Sequence, residues 1–281
     1  MARPTSSVPV SWGRRIAIVL VAGLLGACGS GPGQGVDAAP EPGIADDGGR
    51  ATGDESPAGG GSVAPDRSSP VVIYYSDSIG SESMGNTRLA LGDQVDLVDR
   101  SFPGSALCDW HDRMAGDLAR WAPDLVVLQF VGNHLSQCAA SADPITATPS
   151  IYADHVASVS DLWTSHGVPI VWMSAPRSLY EPLAVIQDGL DEVYLASASG
   201  HPLVSFADPG AELESPDRKG ARHLPCAPWE TADHGCVDGE ISVRHADGIH
   251  LCQAGDEVCH GYSAGLFRYG TTVAQEILRH L

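Results

Sequence analysis

Residues 71–80 read Val-Val-Ile-Tyr-Tyr-Ser-Asp-Ser-Ile-Gly, a run of β-branched and aromatic residues that ends in small and polar ones. The apolar part is typical of a β-strand, and the change of character after it indicates that a helix can begin there. In a parallel sheet, ligands bind beyond the carboxyl ends of the strands. The segment therefore places Ser78 just beyond the carboxyl end of the first predicted strand, at the edge of the sheet where ligands bind.

The remainder of residues 70–281 alternates between short Val/Ile-rich runs and longer amphipathic stretches. The predicted strands are 71–75, 94–99, 125–130, 168–174 and 203–206. The predicted helices are 106–121, 151–166, 183–198 and 262–280. This alternation predicts βαβ units, and hence an α/β domain with a central parallel five-stranded sheet covered by helices on both faces.

The composition supports one globular domain and argues against nucleic acid as a partner. The 281 residues are 43% hydrophobic and 18% charged, which suffices for a sizeable core. Acidic residues outnumber basic ones 35 to 16, giving a net charge of −19, and the sequence has no stripe rich in Lys and Arg. Such a chain lacks the positive surface that phosphate backbones require.

Residues 1–27 have the features of an export signal. Three arginines and no acid precede the apolar run Ile16–Leu25, which is shorter than the roughly 20 residues of a membrane-spanning helix. The run ends in Leu-Gly-Ala-Cys at 25–28, which resembles the lipobox of bacterial lipoproteins. We expect Cys28 to carry a lipid that holds the exported chain at the outer face of the cell membrane. An ordinary secretory signal is the alternative, and the export route stays open.

Residues 28–69 are predicted to form a flexible linker. They include 11 Gly and 5 Pro and no aromatic residue, so they bury too little surface to offset the entropy of ordering. A Gly-rich coil of this length reaches roughly 35 Å. Removal of residues 1–27 leaves 13 basic and 35 acidic residues, a net charge of −22. The folded domain is then expected at 70–281, close to the membrane.

Six cysteines remain once Cys28 is assigned to the lipid. An even number in an exported domain favours disulfides, although sequence alone does not fix their connectivity. Close spacing favours two pairs and leaves the third by subtraction: Cys226–Cys236, Cys252–Cys259 and Cys108–Cys138.

A zinc site is the alternative for part of this cysteine set. Its ligands would be Cys226, His234 and Cys236, with His223 or His245 as the fourth. The spacing lacks the Cys-x-x-Cys pair of structural zinc sites, so disulfides are the better interpretation.

Four short blocks carry groups suited to acyl chemistry. Ser78 follows the first predicted strand, Gly104 lies in Phe-Pro-Gly-Ser after the second, and Asn133 lies in Phe-Val-Gly-Asn-His after the third. The fourth block, Asp247-Gly-Ile-His250, precedes the last helix. Taken singly, such a serine is more often a helix cap and such a histidine is usually structural.

The chemistry of each block explains why these residue types matter together. An aspartate that reaches the Nδ1 of a histidine fixes the tautomer in which Nε2 acts as a base. A glycine lets a backbone N–H approach an oxyanion, and an asparagine amide is a second donor to it.

In their order, the four blocks resemble the SGNH hydrolase family, the GDSL-like esterases and acyltransferases, over residues 70–281. The resemblance implies a three-layer α/β/α, flavodoxin-like sandwich. It implies that Ser78 is the nucleophile, His250 the general base and Asp247 its orienting acid. It further implies an oxyanion hole formed by the backbone N–H groups of Ser78 and Gly104 and the side chain of Asn133. No cofactor and no metal are implied.

The sequence departs from the family's pattern in three places. Ser76 stands where the family has the glycine of Gly-Asp-Ser, and His134 follows Asn133 where the family has Asp. The segment Cys252–Cys259 comes directly after the histidine block and is expected to shape the acyl or sugar pocket.

The expected reaction is hydrolysis of O-acyl esters, O-acetyl esters in the first place, of cell-envelope carbohydrate or of small acyl esters, through an acyl-enzyme. The net charge of −22 argues against polyanionic substrates. An alternative is an O-acyltransferase that modifies envelope polysaccharide together with a membrane acyltransferase partner. An alternative of another class is a non-catalytic, glycan-binding lipoprotein.

Overall fold

The first strand, β1 (Val71–Ser76), is buried along its whole length. The computed structural model describes residues 67–252, 259 and 262–281. The expected signal peptide, the lipidation residue Cys28 and nearly all of the expected linker lie outside these described residues.

Five parallel strands form the central sheet in the order β2-β1-β3-β4-β5. The other four are β2 (Asp96–Ser101), β3 (Leu125–Gln129), β4 (Ile170–Met173) and β5 (Val204–Ala207). The three central strands are buried along their whole length, as a parallel sheet covered on both faces requires, while the edge strands β2 and β5 are only partly buried. The predicted five-stranded parallel sheet is confirmed.

In the part of the chain that the structure describes, five α-helices cover the two faces of this sheet. They are α1 (Ser78–Leu91), α2 (His111–Trp121), α3 (Pro144–Thr164), α4 (Glu181–Gly200) and α5 (Ala264–His280). Helix α1 packs against α5, and α3 packs against α4. None of the helices in the described part of the chain combines the length and the hydropathy that a membrane crossing needs.

Alternate side chains of β1 enter two separate cores. Val72 and Tyr74 lie in the core that contains residues of α1 and α5, whereas Ile73 and Tyr75 lie in the core that contains residues of α3 and α4. Because successive side chains of a strand point to opposite faces, this division follows directly from the strand geometry. The three-layer α/β/α architecture is therefore confirmed.

The structure differs from the sequence-based expectation mainly in its helices. The start of helix α1 after the first strand was expected, but the helix has no range in the predicted set because its sequence is rich in small and polar residues and contains two glycines, so it lacks a strong apolar period. Helix α3 begins at Pro144 rather than near residue 151, with proline in its first turn. The predicted helix 106–121 is divided into a 3₁₀ turn, Leu107–Trp110, and α2.

A short antiparallel hairpin, β6 (His223–Pro225) and β7 (Glu240–Ser242), has no counterpart in the sequence-based expectation. Its strands are three residues each, too short for a period-two pattern to be visible.

The described cysteines form three disulfides, and these join the pairs that spacing and subtraction favoured: Cys108–Cys138, Cys226–Cys236 and Cys252–Cys259. Because a zinc site would need the thiolates of Cys226 and Cys236, the disulfide between these two residues removes that alternative.

Candidate active site

The amino terminus of α1 presents Ser78 at the carboxyl end of β1. Asp77 is the N-cap, and its Oδ1 accepts the N–H of Ile79 at 3.1 Å. Ser78 is the first residue of the helix, and among the described residues neither its N–H nor its hydroxyl has a hydrogen-bond partner. Both groups are therefore free, at a helix end where the dipole favours negative charge.

The carboxylate of Asp77 joins the ends of β1 and β3. Its Oδ2 accepts the backbone N–H of Val131 at 2.6 Å, and the amide nitrogen of Asn133 lies 3.4 Å from the same oxygen. Complete burial raises the pKa of Asp77 to about 6, although its hydrogen bonds from Val131 and Ile79 oppose the rise. Asp77 thus connects the start of α1, which carries the expected nucleophile, to the loop after β3, which carries the expected amide donor.

Gly104 lies in the loop after β2 and has a φ of +80°, which favours glycine at this position. Its N–H has no acceptor among the described residues. The next residue anchors the loop, since the hydroxyl of Ser105 donates to the carbonyl of Phe102 at 2.8 Å and lies 3.3 Å from the carbonyl of Ser76. The loop therefore reaches back to the end of β1 with one unpaired N–H, as an oxyanion donor requires.

Asn133 is already engaged with the protein. Its Nδ2 donates to the carbonyl of Ser105 at 2.9 Å and lies 3.4 Å from the carboxylate of Asp77. The amide thus braces the loops after β2 and β3. Donation to an oxyanion would have to replace or share the longer contact, so the role of Asn133 in the hole stays a prediction.

Asp247 and His250 form a close pair in the loop before α5. The Nδ1 of His250 lies 2.7 Å from Oδ2 of Asp247, while Oδ1 accepts the backbone N–H groups of Ile249 at 2.8 Å and of His250 at 3.0 Å. Burial would raise the pKa of Asp247, but the hydrogen bonds from His250 and Ile249 outweigh it and hold the pKa well below its usual range. An ionised Asp247 keeps the proton on Nδ1 and leaves Nε2 as the basic nitrogen.

A second histidine approaches the same carboxylate. The Nδ1 of His245 lies 3.2 Å from Oδ2 of Asp247, a longer distance than that of His250.

The backbone of this loop is clamped by two arginines. Arg244, which is 2% exposed, donates to the carbonyls of Ile249 and Arg177, and Arg222 donates to the carbonyls of His245 and Ala246. These bonds fix the loop that carries the histidine.

The structure brings His250 to helix α1 through a residue that the sequence analysis missed. Glu82, one turn after Ser78, has its Oε1 3.7 Å from the Nε2 of His250. The four-residue spacing between Ser78 and Glu82 places both on one helix face and was the only signal for it in the sequence. Ser78 and His250 do not share a hydrogen bond here, and such catalytic bonds are often long without substrate.

A groove of about 450 Å³ begins at Gly104. Its lining includes Phe102, Trp110 and Leu135, with Arg113 among its charged residues. Several polar groups of the lining already have partners: Trp110 Nε1 donates to the hydroxyl of Ser105 at 3.2 Å, and Ser136 Oγ donates to Asp109 at 2.6 Å. The groove consequently offers mainly apolar surface beside the expected oxyanion hole.

The groove walls are also joined covalently. Cys108 lies in the 3₁₀ turn before α2 and Cys138 in the loop after β3, and their disulfide links the two segments that line the groove. Within the described residues, Cys108, Asp109 and Cys138 form the one close cluster of metal-binding residue types. Because both sulfurs are consumed by the disulfide, this cluster does not form a metal-ligand set.

The fold is shared with solved structures of low sequence identity. A proposed acylhydrolase from Bacteroides fragilis aligns with a TM-score of 0.51 and 16% identity, covering 76% of this chain and 89% of that one. A GDSL-like lipase from Bacteroides thetaiotaomicron aligns with a TM-score of 0.50 and 15% identity, covering 75% and 89%. A proposed lipolytic protein of the G-D-S-L family from Desulfitobacterium hafniense gives 0.50 and 10%, covering 75% and 99%.

No family profile and no curated protein matches this chain. At these identities the structural likeness establishes the fold, which is that of the SGNH, or GDSL-like, hydrolases. The resemblance of the four sequence blocks and the three-dimensional fold thus agree.

Proposed function

We propose that this chain is a serine ester hydrolase with Ser78 as nucleophile, His250 as general base and Asp247 as the acid that orients it. The observation that carries the proposal is the 2.7 Å contact between His250 and Asp247, in a loop that also contacts the helix beginning at Ser78. The lipases and acylhydrolases that share the fold support ester hydrolysis as the reaction class.

The reaction proceeds in two halves. In the first, the hydroxyl of Ser78 attacks the ester carbonyl, Nε2 of His250 takes the hydroxyl proton, and that proton then passes to the leaving alcohol as the acyl-enzyme forms. In the second, His250 takes a proton from the water that attacks the acyl-enzyme, and it returns this proton to the oxygen of Ser78 as the bond to the acyl group breaks and the acid is released. Asp247 stays ionised throughout and stabilises the imidazolium.

Backbone N–H donors stabilise the negative charge that develops on the carbonyl oxygen. The N–H groups of Ser78 and Gly104 have no partner among the described residues, and the dipole of α1 favours an anion at Ser78. Asn133 supplies a third donor if its contact with Asp77 is shared.

The proposed substrates are O-acyl esters of cell-envelope carbohydrate, O-acetyl esters above all, or small acyl esters. The groove beside Gly104 supports a bound group larger than the reacting carbonyl itself, since its volume lies in the range of small-molecule pockets. Transfer of the acyl group to a sugar hydroxyl would use the same residues, so analysis of the products in the presence of an envelope oligosaccharide decides between acid release and transfer.

The proposed location is the outer face of the cell membrane, with a lipid on Cys28 as anchor. The support is the pattern of residues 1–28, three arginines followed by an apolar run and Leu-Gly-Ala-Cys. In cells that express the full chain, Cys28→Ala should move the protein out of the membrane fraction and abolish incorporation of labelled fatty acid. Unchanged fractionation and labelling would contradict the anchor.

A fluorophosphonate probe tests the catalytic proposal. We expect the parent to be labelled at Ser78 and to hydrolyse a chromogenic acetyl ester, and Ser78→Ala to lose both properties. Ser81→Ala is the matched control, because Ser81 lies on the same helix and its side chain makes no hydrogen bond with a described residue. A folded parent that is neither labelled nor active would favour the non-catalytic, glycan-binding alternative.

A further inference from the structure

Glu82 lies on α1 one turn beyond the proposed nucleophile and points toward the loop that carries His250. Its side chain is only 15% exposed. A carboxylate so poorly solvated needs hydrogen-bond donors from the protein in place of water.

The donors come from the two residues that follow the histidine. The backbone N–H groups of Leu251 and Cys252 lie 2.9 Å and 3.2 Å from the same oxygen, Oε2 of Glu82. The two positions are 169 and 170 residues away in sequence, so this contact links helix α1 to the distant histidine loop.

The second carboxylate oxygen faces the histidine itself. Oε1 of Glu82 lies 3.7 Å from Nε2 of His250, while Asp247 holds Nδ1 on the other side of the ring. The imidazole is therefore flanked by two carboxylates, one at each nitrogen.

We propose that Glu82 is a positioning residue that fixes the histidine loop against the helix of Ser78 and sets the approach of Nε2 to the hydroxyl. This inference rests on the proposed function of Ser78 and His250. Glu82 acts through its bonds to Leu251 and Cys252, and its negative charge favours the imidazolium that forms when Nε2 takes the proton of Ser78.

The two contributions are separable by substitution. Glu82→Ala leaves two partly buried N–H groups without a partner and removes the charge, so the loop should relax away from α1. Glu82→Gln keeps an oxygen that can accept both N–H groups but removes the charge. Activity should therefore fall furthest in Glu82→Ala and less in Glu82→Gln.

The expected size of the effect follows from geometry. A displacement of about 1 Å in a catalytic group costs about 10²-fold in rate, so Glu82→Ala should lower kcat toward acetyl esters by that order. KM should change little, because Glu82 does not line the groove. Glu192→Ala is the matched control, since Glu192 is an exposed acid on α4 and makes no hydrogen bond or ion pair with a described residue.

Hydrogen exchange provides a readout that does not depend on activity. In the full chain, the peptide containing Leu251 and Cys252 should exchange faster in Glu82→Ala than in the parent, whereas β5 should exchange at the parental rate. Glu82→Gln should retain most of the protection. These changes are expected whether or not the protein hydrolyses esters.

The outcomes distinguish this inference from the proposed function. Unchanged exchange at Leu251 and Cys252 in Glu82→Ala overturns the positioning role, as does a kcat within threefold of the parent. A parent that is not labelled by a fluorophosphonate overturns the proposed function instead, and exchange then still shows whether Glu82 holds the loop.

Discussion

The side chain of Ser76 fills the space that a Cβ on Gly80 would occupy. Such an atom would lie 2.1 Å from Oγ of Ser76 and 2.4 Å from its Cβ, both closer than van der Waals contact allows. Ser76 stands where the SGNH pattern has its glycine, and the small residue that makes room for it lies four positions later, at the start of α1. The serine side chain that departs from Gly-Asp-Ser is thus accommodated because position 80 has no side chain.

This relationship predicts a double-mutant rescue. Gly80→Ala should destabilise the protein by about 1–3 kcal/mol through overpacking, and Ser76→Gly in the same chain should recover a large part of that loss. Urea unfolding of the two single variants and the double variant measures the coupling. Gly85→Ala, on the same helix with nothing within 4 Å of its Cβ, should leave stability unchanged or improve it by up to about 1 kcal/mol. Purely additive effects of the two substitutions would refute the shared space.

Asp247→Asn should lower the rate of ester hydrolysis strongly and change the stability of the fold only slightly. The amide no longer holds the proton on Nδ1 of His250, and a loss of the order of 10²–10⁴ is expected when the tautomer is no longer fixed. The measurement is kcat with a chromogenic acetyl ester, beside thermal unfolding. His245→Gln is the comparison, since its 3.2 Å contact with the same carboxylate is the longer one and should matter less. Equal activity of Asp247→Asn and the parent would remove Asp247 from the mechanism.

The Cys108–Cys138 disulfide should contribute to stability through the chain entropy of the unfolded state. It spans 30 residues, and loss of a crosslink of that span costs about 3–4 kcal/mol. The double variant Cys108→Ser/Cys138→Ser should therefore unfold at a lower urea concentration. The Cys226–Cys236 pair spans only 10 residues, so its removal should cost less. If the shorter crosslink proves the more costly, loop entropy does not govern these bonds.

Stability should depend on pH through Asp191 on α4. Burial, reinforced by the charges of Asp208 and Asp188, raises the pKa of Asp191 from 3.8 to about 8. The folded state then binds a proton that the unfolded state has lost, so stability falls as pH rises through this window. Asp191→Asn should match the parent near pH 4 and exceed it increasingly up to pH 8.

Urea unfolding at pH 5 and pH 8 checks this sign. Asp93→Asn, an exposed acid whose side chain makes no hydrogen bond with a described residue, is the control and should differ from the parent by the same amount at both pH values. An Asp191→Asn curve parallel to that of the parent would disprove the shifted titration.

Local patterns predicted the sheet better than the helices. The three central strands β1, β3 and β4 were visible because strands buried on both faces form continuous apolar runs without alternation, whereas the edge strands β2 and β5 carry shorter apolar segments. The extent of helix α1 was not predicted because this helix is stabilised by close packing of small residues against α5 rather than by an apolar stripe of its own. The packing is tight: a Cβ on Gly270 of α5 would lie 2.8 Å from the Cβ of Asn86 on α1.

The sequence by itself determined the βαβ order, and it made Ser78 and His250 the candidate site residues and three cysteine pairs the preferred disulfides, because each of these depends on residue type and on spacing along the chain. The tertiary structure alone decided that Glu82 reaches across 169 residues to the histidine loop, that Asn133 braces two loops, and that Ser76 and Gly80 share one space. Each of these contacts depends on how α1 and the loops after the strands pack against one another. The spacing of residues along the sequence does not determine such distances.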